Sequence, residues 1–154
     1  MDSLRHGHRA LRRGRHSAIA QVYFVTFTTL RRRPQFSDPC AARTVARTLC
    51  NPVSQGSSRI LCWVLMPDHW HGLVELGSGD SLGRFVLRLK ARTAKAWNRV
   101  RGGAGPLWAR AFHDHALRRD EDLVALARYV VANPLRAGLV RRLGDYPYWD
   151  AIWL

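Results

Sequence analysis

Acidic side chains are scarce in this chain of 154 residues. Only 11 Asp and Glu stand against 25 Lys and Arg, which leaves a formal net charge of +14 and a pI near 11.4. Such a surface repels itself unless it meets a polyanion, so nucleic acid or an anionic membrane is the default partner. Long apolar runs are missing too. No stretch approaches the roughly 18 residues of a membrane span, and no signal-type apolar segment follows the basic N-terminus before Ala18. Cysteine is sparse: Cys40, Cys50 and Cys62 form an odd set without C-x-x-C spacing. That argues against a disulfide scaffold or a zinc finger, and for a reducing cytoplasm. Apolar residues are not lacking. They make up 47% of the chain, enough for the core of one ordinary domain.

The first segment, Met1 to His16, carries five arginines, Arg12 and Arg13 among them, and little to bury. It reads as a flexible basic arm, leaving residues 17–154 as a single domain. Val22 to Leu30 is β-branched and aromatic, as a buried strand requires. Asp38-Pro39 reads as an N-cap followed by proline at the first helical position, opening a helix to about Cys50. Asn51 to Ser58 reads as a loop. Ile60 to Leu65 and His69 to Leu76 read as two strands of a hairpin across Met66-Pro67-Asp68. From Ser81 to Val100, Leu82, Phe85, Val86, Leu89, Ala96, Trp97 and Val100 recur at helical spacing. Leu107 to Leu117 reads as a fourth strand. A last helix, capped by Asp120, runs to Ala132 and is stopped by Pro134. The tail to Leu154, with Tyr146, Tyr148, Trp149 and Trp153, is expected to pack across the body. This order predicts an α+β, ferredoxin-like fold: an antiparallel sheet with helices on one face and an added C-terminal helix.

The sharpest chemical feature is His69-Trp70-His71 inside an apolar strand. A period of two puts both imidazoles on one face and Trp70 on the other. Two neutral ring nitrogens side by side make half of a divalent-metal site, although two satisfied histidines in a sheet would look the same. His113-Asp114-His115 repeats the spacing on the fourth strand and is the rival pair. Tyr129 and Asn133 lie four residues apart on the last helix and share a face. Arg84, Arg88, Arg92, Lys95 and Arg99 occupy the helix face opposite Leu82, Phe85, Leu89 and Trp97. No acidic residue interleaves from Arg84 to Arg110, so contact with backbone phosphates is favoured over a merely solvated face. Trp70, Trp108 and Phe112 could stack on single-stranded bases.

Together these residues resemble the single-tyrosine HUH transposases, in particular the REP-associated tyrosine transposases of bacteria. The resemblance rests on Tyr23-Phe24-Val25-Thr26, on Val64 to His71 with the run Met66-Pro67-Asp68-His69-Trp70-His71, on Leu107-Trp108 and Phe112 to Leu117, and on Asp120 to Leu123. It continues with Tyr129 to Asn133 and the run Pro134-Leu135-Arg136-Ala137-Gly138-Leu139-Val140. It implies that His69 and His71 bind Mg²⁺ or Mn²⁺, with Asn133 as third ligand. Related insertion-sequence enzymes often carry glutamine there. It implies that Tyr129 attacks a phosphodiester, keeps a 5′-phosphotyrosine and releases a 3′-OH. The implied substrate is a single-stranded hairpin of a repetitive extragenic palindrome with a short guide sequence, held by Arg12, Arg13 and the arginine stripe. The expected protein is cytoplasmic, in bacteria, without membrane contact, and a monomer or weak homodimer. Two other readings remain: a non-catalytic nucleic-acid-binding module on the same fold, and a metal-dependent nuclease that uses water and leaves no covalent adduct.

Overall fold

The computed structural model describes residues 21–118 and 121–154. The proposed arm, with Arg12 and Arg13, and the proposed cap Asp120 lie outside the described residues. The elements run β1 (Val22–Thr28), α1 (Pro39–Cys50), α2 (Pro52–Gln55), β2 (Arg59–Met66), β3 (His69–Glu75), α3 (Leu82–Arg101), β4 (His113–Ala116), α4 (Leu123–Val131), α5 (Asn133–Arg136) and β5 (Trp149–Ala151). The sheet order is β4-β1-β3-β2-β5, and every pairing is antiparallel. Its first four strands have the expected ferredoxin-like order.

Alternation in the strands divides the core into two layers. Tyr23, Val25, Phe27, Trp63, Leu65, Trp70 and Val74 face α1 and α3, meeting Val45, Leu49, Phe85 and Leu89. Cys62, Val64, Met66 and Leu73 face the other way, against Ala127, Val130 and Val131 of α4 and residues of the tail. Strand β2 is therefore buried on both sides, which explains its unbroken apolar run. The added helix closes the second face, opposite α1 and α3.

Local chemistry accounts for most element ends. The Asp38 carboxylate accepts from the Cys40 amide, and Pro39 occupies the first turn of α1. Ser81 accepts from the Arg84 amide at the start of α3. The stretch Asn51 to Ser58 differs from the expected loop: Asn51 caps the short helix α2, with Pro52 in its first turn.

The fourth strand is shorter than expected. Only His113–Ala116 pairs with β1, preceded by a single bridge between Thr29 and Trp108. The Lys90 ammonium donates to the carbonyls of Ala109 at 2.8 Å and Ala111 at 2.9 Å, which holds that backbone out of a ladder. Val100 is exposed rather than core-facing, and Thr93 is buried where its hydroxyl bonds the Leu89 carbonyl. The tail adds an edge strand: Trp149–Ala151 pairs with Cys62–Val64. Among the described residues no helix is long and apolar enough to cross a membrane.

Candidate active site

His69 and His71 open β3, and Thr28 and Thr26 of β1 lie opposite them. Both imidazoles lie on the face that carries α4, with ring centroids 4.5 Å apart and planes nearly perpendicular. Trp70 points the other way, fully buried and stacked on Phe27 at 4.9 Å. Its flat seat depends on Gly72, where an added Cβ would lie 2.3 Å from the indole.

Each imidazole is held through Nδ1. His69 Nδ1 lies 2.6 Å from Asp68 Oδ1, and His71 Nδ1 lies 2.7 Å from the Thr26 hydroxyl. Both oxygens can accept from a protonated Nδ1, which leaves each Nε2 bare and oriented. That is the tautomer a divalent cation requires of neutral histidine. Burial, reinforced by the charges of His69, Arg136 and Arg32 and partly offset by Asp68, pushes the His71 pKa down to about 3. The ring is therefore neutral at physiological pH. Two imidazoles suit Mn²⁺ better than Mg²⁺, which needs further oxygen ligands, and they are not a complete site: no group of three His, Cys, Asp or Glu converges among the described residues. A third ligand must come from another residue type or from the substrate. The Asn133 amide nitrogen donates to the Val130 carbonyl at 2.8 Å, so its Oδ1 is left without that bond.

Asp68 is itself clamped. Arg32 Nε reaches its second oxygen at 3.1 Å, and Thr29 donates to its carbonyl from both the backbone amide and the hydroxyl, at 2.9 and 3.1 Å. The sequence reading assigned no role to Arg32, Asp68, Thr26 or Thr29. The register of β1 against β3 brings Thr26 to His71, and the segment after β1 brings Thr29 and Arg32 to Asp68, the chain neighbour of His69.

Tyr129 projects from the end of α4. Asp122 caps this helix, accepting from the amides of Val124 and Ala125. Ala127, Val130 and Val131 bury its inner face, while Tyr129 is 58% exposed. Proline 134 opens a further turn instead of only stopping the helix, since α5 begins at Asn133. From that turn Arg136 folds back. Its guanidinium lies 3.9 Å from the centroid of the Tyr129 ring and donates to the Tyr129 carbonyl at 2.7 Å. The same charge is felt at His71. Sequence spacing does not reveal this stacking of Arg136 on Tyr129.

The other described phenols are poorly placed. Tyr23 is buried in the core. The Tyr146 hydroxyl donates to the Leu65 carbonyl at 2.5 Å, and burial, with Tyr148 adding to it, raises its pKa to about 12. The rival His113 lies across Thr26 from His71, on the same sheet face, since both pair with that residue. His115 is engaged by Glu121 at 3.2 Å.

The arginine stripe divides. Arg88 is not unpaired: it bonds Asp80 Oδ2 at 2.7 Å and the carbonyls of Ser54 and Gln55. Burial alone would raise the Asp80 pKa, but bonds from Arg88 and Ser58 hold it below the usual carboxylate value. The acid that pairs with Arg88 thus lies in the turn before α3. Arg92 bonds the Ser54 hydroxyl, and Arg84 reaches the Gly79 carbonyl only at 3.4 Å. Lys95, Arg99, Arg92 and Arg47 line a concavity of about 330 Å³ on the outer helical layer, away from the histidines. Trp70 and Trp108 belong to the core and offer no stacking surface, because strand alternation and the Trp108–Thr93 bond (2.8 Å) turn both inward.

Known proteins resemble this chain in sequence and in fold. A family model described as "Transposase IS200 like" matches residues 18–133. The REP-associated tyrosine transposase of Escherichia coli K12 is 28% identical over 89 residues, covering 58% of this chain and 52% of that protein. A putative REP-associated tyrosine transposase of Haemophilus influenzae is 29% identical over 96 residues, covering 54% and 53%. The chain spans about half the length of the curated relatives it matches. Among solved structures, a REP-associated tyrosine transposase bound to a REP hairpin superposes with a TM-score of 0.67 at 23% identity, covering 88% of this chain and 79% of that one. A putative transposase from Deinococcus radiodurans gives 0.54 at 19% identity, covering 77% and 94%. At these identities the superpositions establish the fold.

Proposed function

The chain belongs to the IS200-like transposase family, and on that premise we propose that it cuts and rejoins single-stranded DNA through a covalent bond to Tyr129. What supports the reading is a pair of oriented imidazoles on the sheet face that carries α4, together with an exposed phenol on α4 that has an arginine stacked on it.

His69 and His71 would hold Mg²⁺ or Mn²⁺ through Nε2, with Asn133 Oδ1 as third protein ligand. Such an ion neutralises phosphate charge and stabilises the departing oxygen. The remaining steps belong to side chains. The Tyr129 oxygen loses its proton and attacks phosphorus. The bond to the 3′-oxygen breaks, that oxygen takes up a proton, and the 5′-phosphate stays esterified to the tyrosine. Attack by another 3′-hydroxyl reverses the step and restores the phenol. Bond energy is conserved, so no nucleotide cofactor is consumed. Arg136, fixed beside the ring, would offset the charge that grows on the phosphoryl oxygens. Asp68 and Thr26 would keep the two imidazoles in one tautomer and one orientation. The substrate would be a hairpin of the kind named for the relatives, with Lys95, Arg99 and Arg92 as phosphate contacts.

The test is incubation of the protein with 3′-end-labelled single-stranded hairpin DNA and Mn²⁺, followed by a denaturing gel. A labelled band at the mass of protein plus DNA, absent for Tyr129→Phe, is expected. Cleaved DNA without that band would make the protein a hydrolytic nuclease instead. Binding with no cleavage at all would make it a non-catalytic module.

A further inference from the structure

A second feature lies on the far side of the clamp that holds Asp68. Residues 29–36 leave β1, bond the Asp68 carbonyl through Thr29, and bond the Pro67 carbonyl through the Phe36 amide at 3.0 Å. Within this segment Arg31 and Arg32 both adopt left-handed backbone, with φ of 57° and 55°. For side chains of this size that conformation is costly and persists only where the surroundings impose it. Its effect is to separate three consecutive arginines. Arg32 turns to Asp68, while Arg31 and Arg33 line a cleft of about 690 Å³ between this segment and the end of α3.

The opposite wall supplies Arg101, held over the Trp97 ring at 4.1 Å and bonded to the Ala104 carbonyl and the Asn98 side chain. Gln35 lines the cleft as well. Its one acidic residue, Asp38, is engaged in capping α1. Among the described residues, the side chains of Arg31 and Arg33 have neither ion pair nor hydrogen bond, and both residues are exposed. Three guanidiniums with no free carboxylate, in a cleft within the volume range of ligand sites, suit an anion larger than one phosphate. One wall of the cleft follows directly on the end of β1, where Thr28 pairs with His69; the cleft lies on the side of α1 and α3, and the imidazoles lie on the face that carries α4.

We propose that this cleft binds the phosphodiester backbone of the single-stranded DNA that flanks the cut site, with Arg31, Arg33 and Arg101 as phosphate contacts and Gln35 beside an adjoining base. The proposal rests on the reading of the chain as a single-strand transposase, and deepens it by giving the flanking strand a seat. An occupant of the cleft also bears on catalysis. It holds Arg31 and Arg33 on either side of Arg32, which in turn orients Asp68 and His69.

The test measures binding of a fluorescent single-stranded hairpin with its flanks, by anisotropy over a range of salt and without divalent metal. The proteins are wild type, Arg31→Gln with Arg33→Gln, Arg101→Gln, and a charge-matched control, Arg43→Gln with Arg141→Gln. Thermal unfolding verifies that each variant is folded, and glutamine keeps most of the arginine stem. The cleft double variant should bind about tenfold more weakly. Its slope of log affinity against log salt should shrink by about 1.4, since single strands give about 0.7 per phosphate contact. Arg101→Gln should lose about half as much slope, and trimming the flanks from the wild-type substrate should reproduce the loss. Wild-type affinity and slope in the double variant, or an equal loss in the control, would overturn the proposal. So would tighter binding of an RNA strand of the same sequence that alone depends on Arg31 and Arg33. Adduct formation is scored separately. A cleft-dependent binding loss in a protein that forms no adduct would refute the transposase reading and leave the cleft standing. An adduct with cleft-independent binding would do the reverse.

Discussion

The guanidinium of Arg136 lies 3.9 Å over the ring of Tyr129 and donates to the Tyr129 carbonyl at 2.7 Å, while its charge reaches His71. The turn that follows α4 thus returns a cation to the only described phenol that is both helical and solvent-facing. If that cation offsets transition-state charge, Arg136→Gln should slow adduct formation by about 10²–10³. Binding of the uncut strand should change far less. Arg136→Lys should recover part of the rate, because it restores the charge but not the planar stack. Single-turnover rates at saturating DNA, measured beside anisotropy, separate the two effects.

Removing the Tyr129 oxygen disturbs little, because the ring is largely in solvent. Tyr129→Phe should leave stability within about 0.5 kcal/mol of wild type and abolish the covalent product. Chemical denaturation and the denaturing gel check the two halves. Tyr146→Phe should behave in the opposite sense. It loses a half-buried bond to the Leu65 carbonyl and should cost about 1 kcal/mol while the adduct still forms.

The depressed His71 pKa has a defined effect on stability. Folded His71 takes up a proton only near pH 3, whereas an unfolded histidine takes one up near 6.5. The stability conferred by neutral His71 is complete above about pH 6.5 and is lost as pH falls from there towards 3, by up to about 1.4 kcal/mol per unit. In metal-free protein the urea midpoint should fall between pH 7.5 and 5, and His71→Gln should flatten that fall.

Arg88 should behave as a structural residue. Its removal strands the largely buried Asp80 carboxylate, so Arg88→Ala should cost about 2–3 kcal/mol. Lys95→Ala with Arg99→Ala should instead leave stability nearly unchanged and reduce the salt dependence of binding. Thermal melts and salt titrations of the same samples decide which residue does which.

Gly72 marks the tightest approach beneath the histidine strand. An alanine Cβ would lie 2.3 Å from the Trp70 indole, so Gly72→Ala should cost about 1–3 kcal/mol by overpacking and alter near-ultraviolet circular dichroism.

Much of this arrangement was legible before any coordinates. Period two in His69-Trp70-His71 separated the imidazoles from the indole, and Asp38-Pro39 marked the start of α1, because both signals depend only on neighbours in the chain. The burial of Trp108, the pairing of Arg88 with Asp80, the capture of the 109–111 backbone by Lys90 and the short edge strand Trp149–Ala151 were not legible. Each depends on a partner supplied by the folded topology. The same holds for the site: Tyr129, Asn133, His69 and His71 stand out by type and spacing, whereas Arg136, Arg32, Asp68 and Thr26 acquire meaning only through register and the return of α5. The left-handed Arg31 and Arg32 carry no glycine or asparagine signal at all.

The covalent claim is tested most directly by mass spectrometry of the protein after reaction with single-stranded hairpin DNA and Mn²⁺, nuclease trimming and proteolysis. The account predicts a nucleotide esterified through its 5′-phosphate to Tyr129 and to no other residue. A nucleotide on Tyr146 or Tyr148, or cleaved DNA with every tyrosine unmodified, would contradict it.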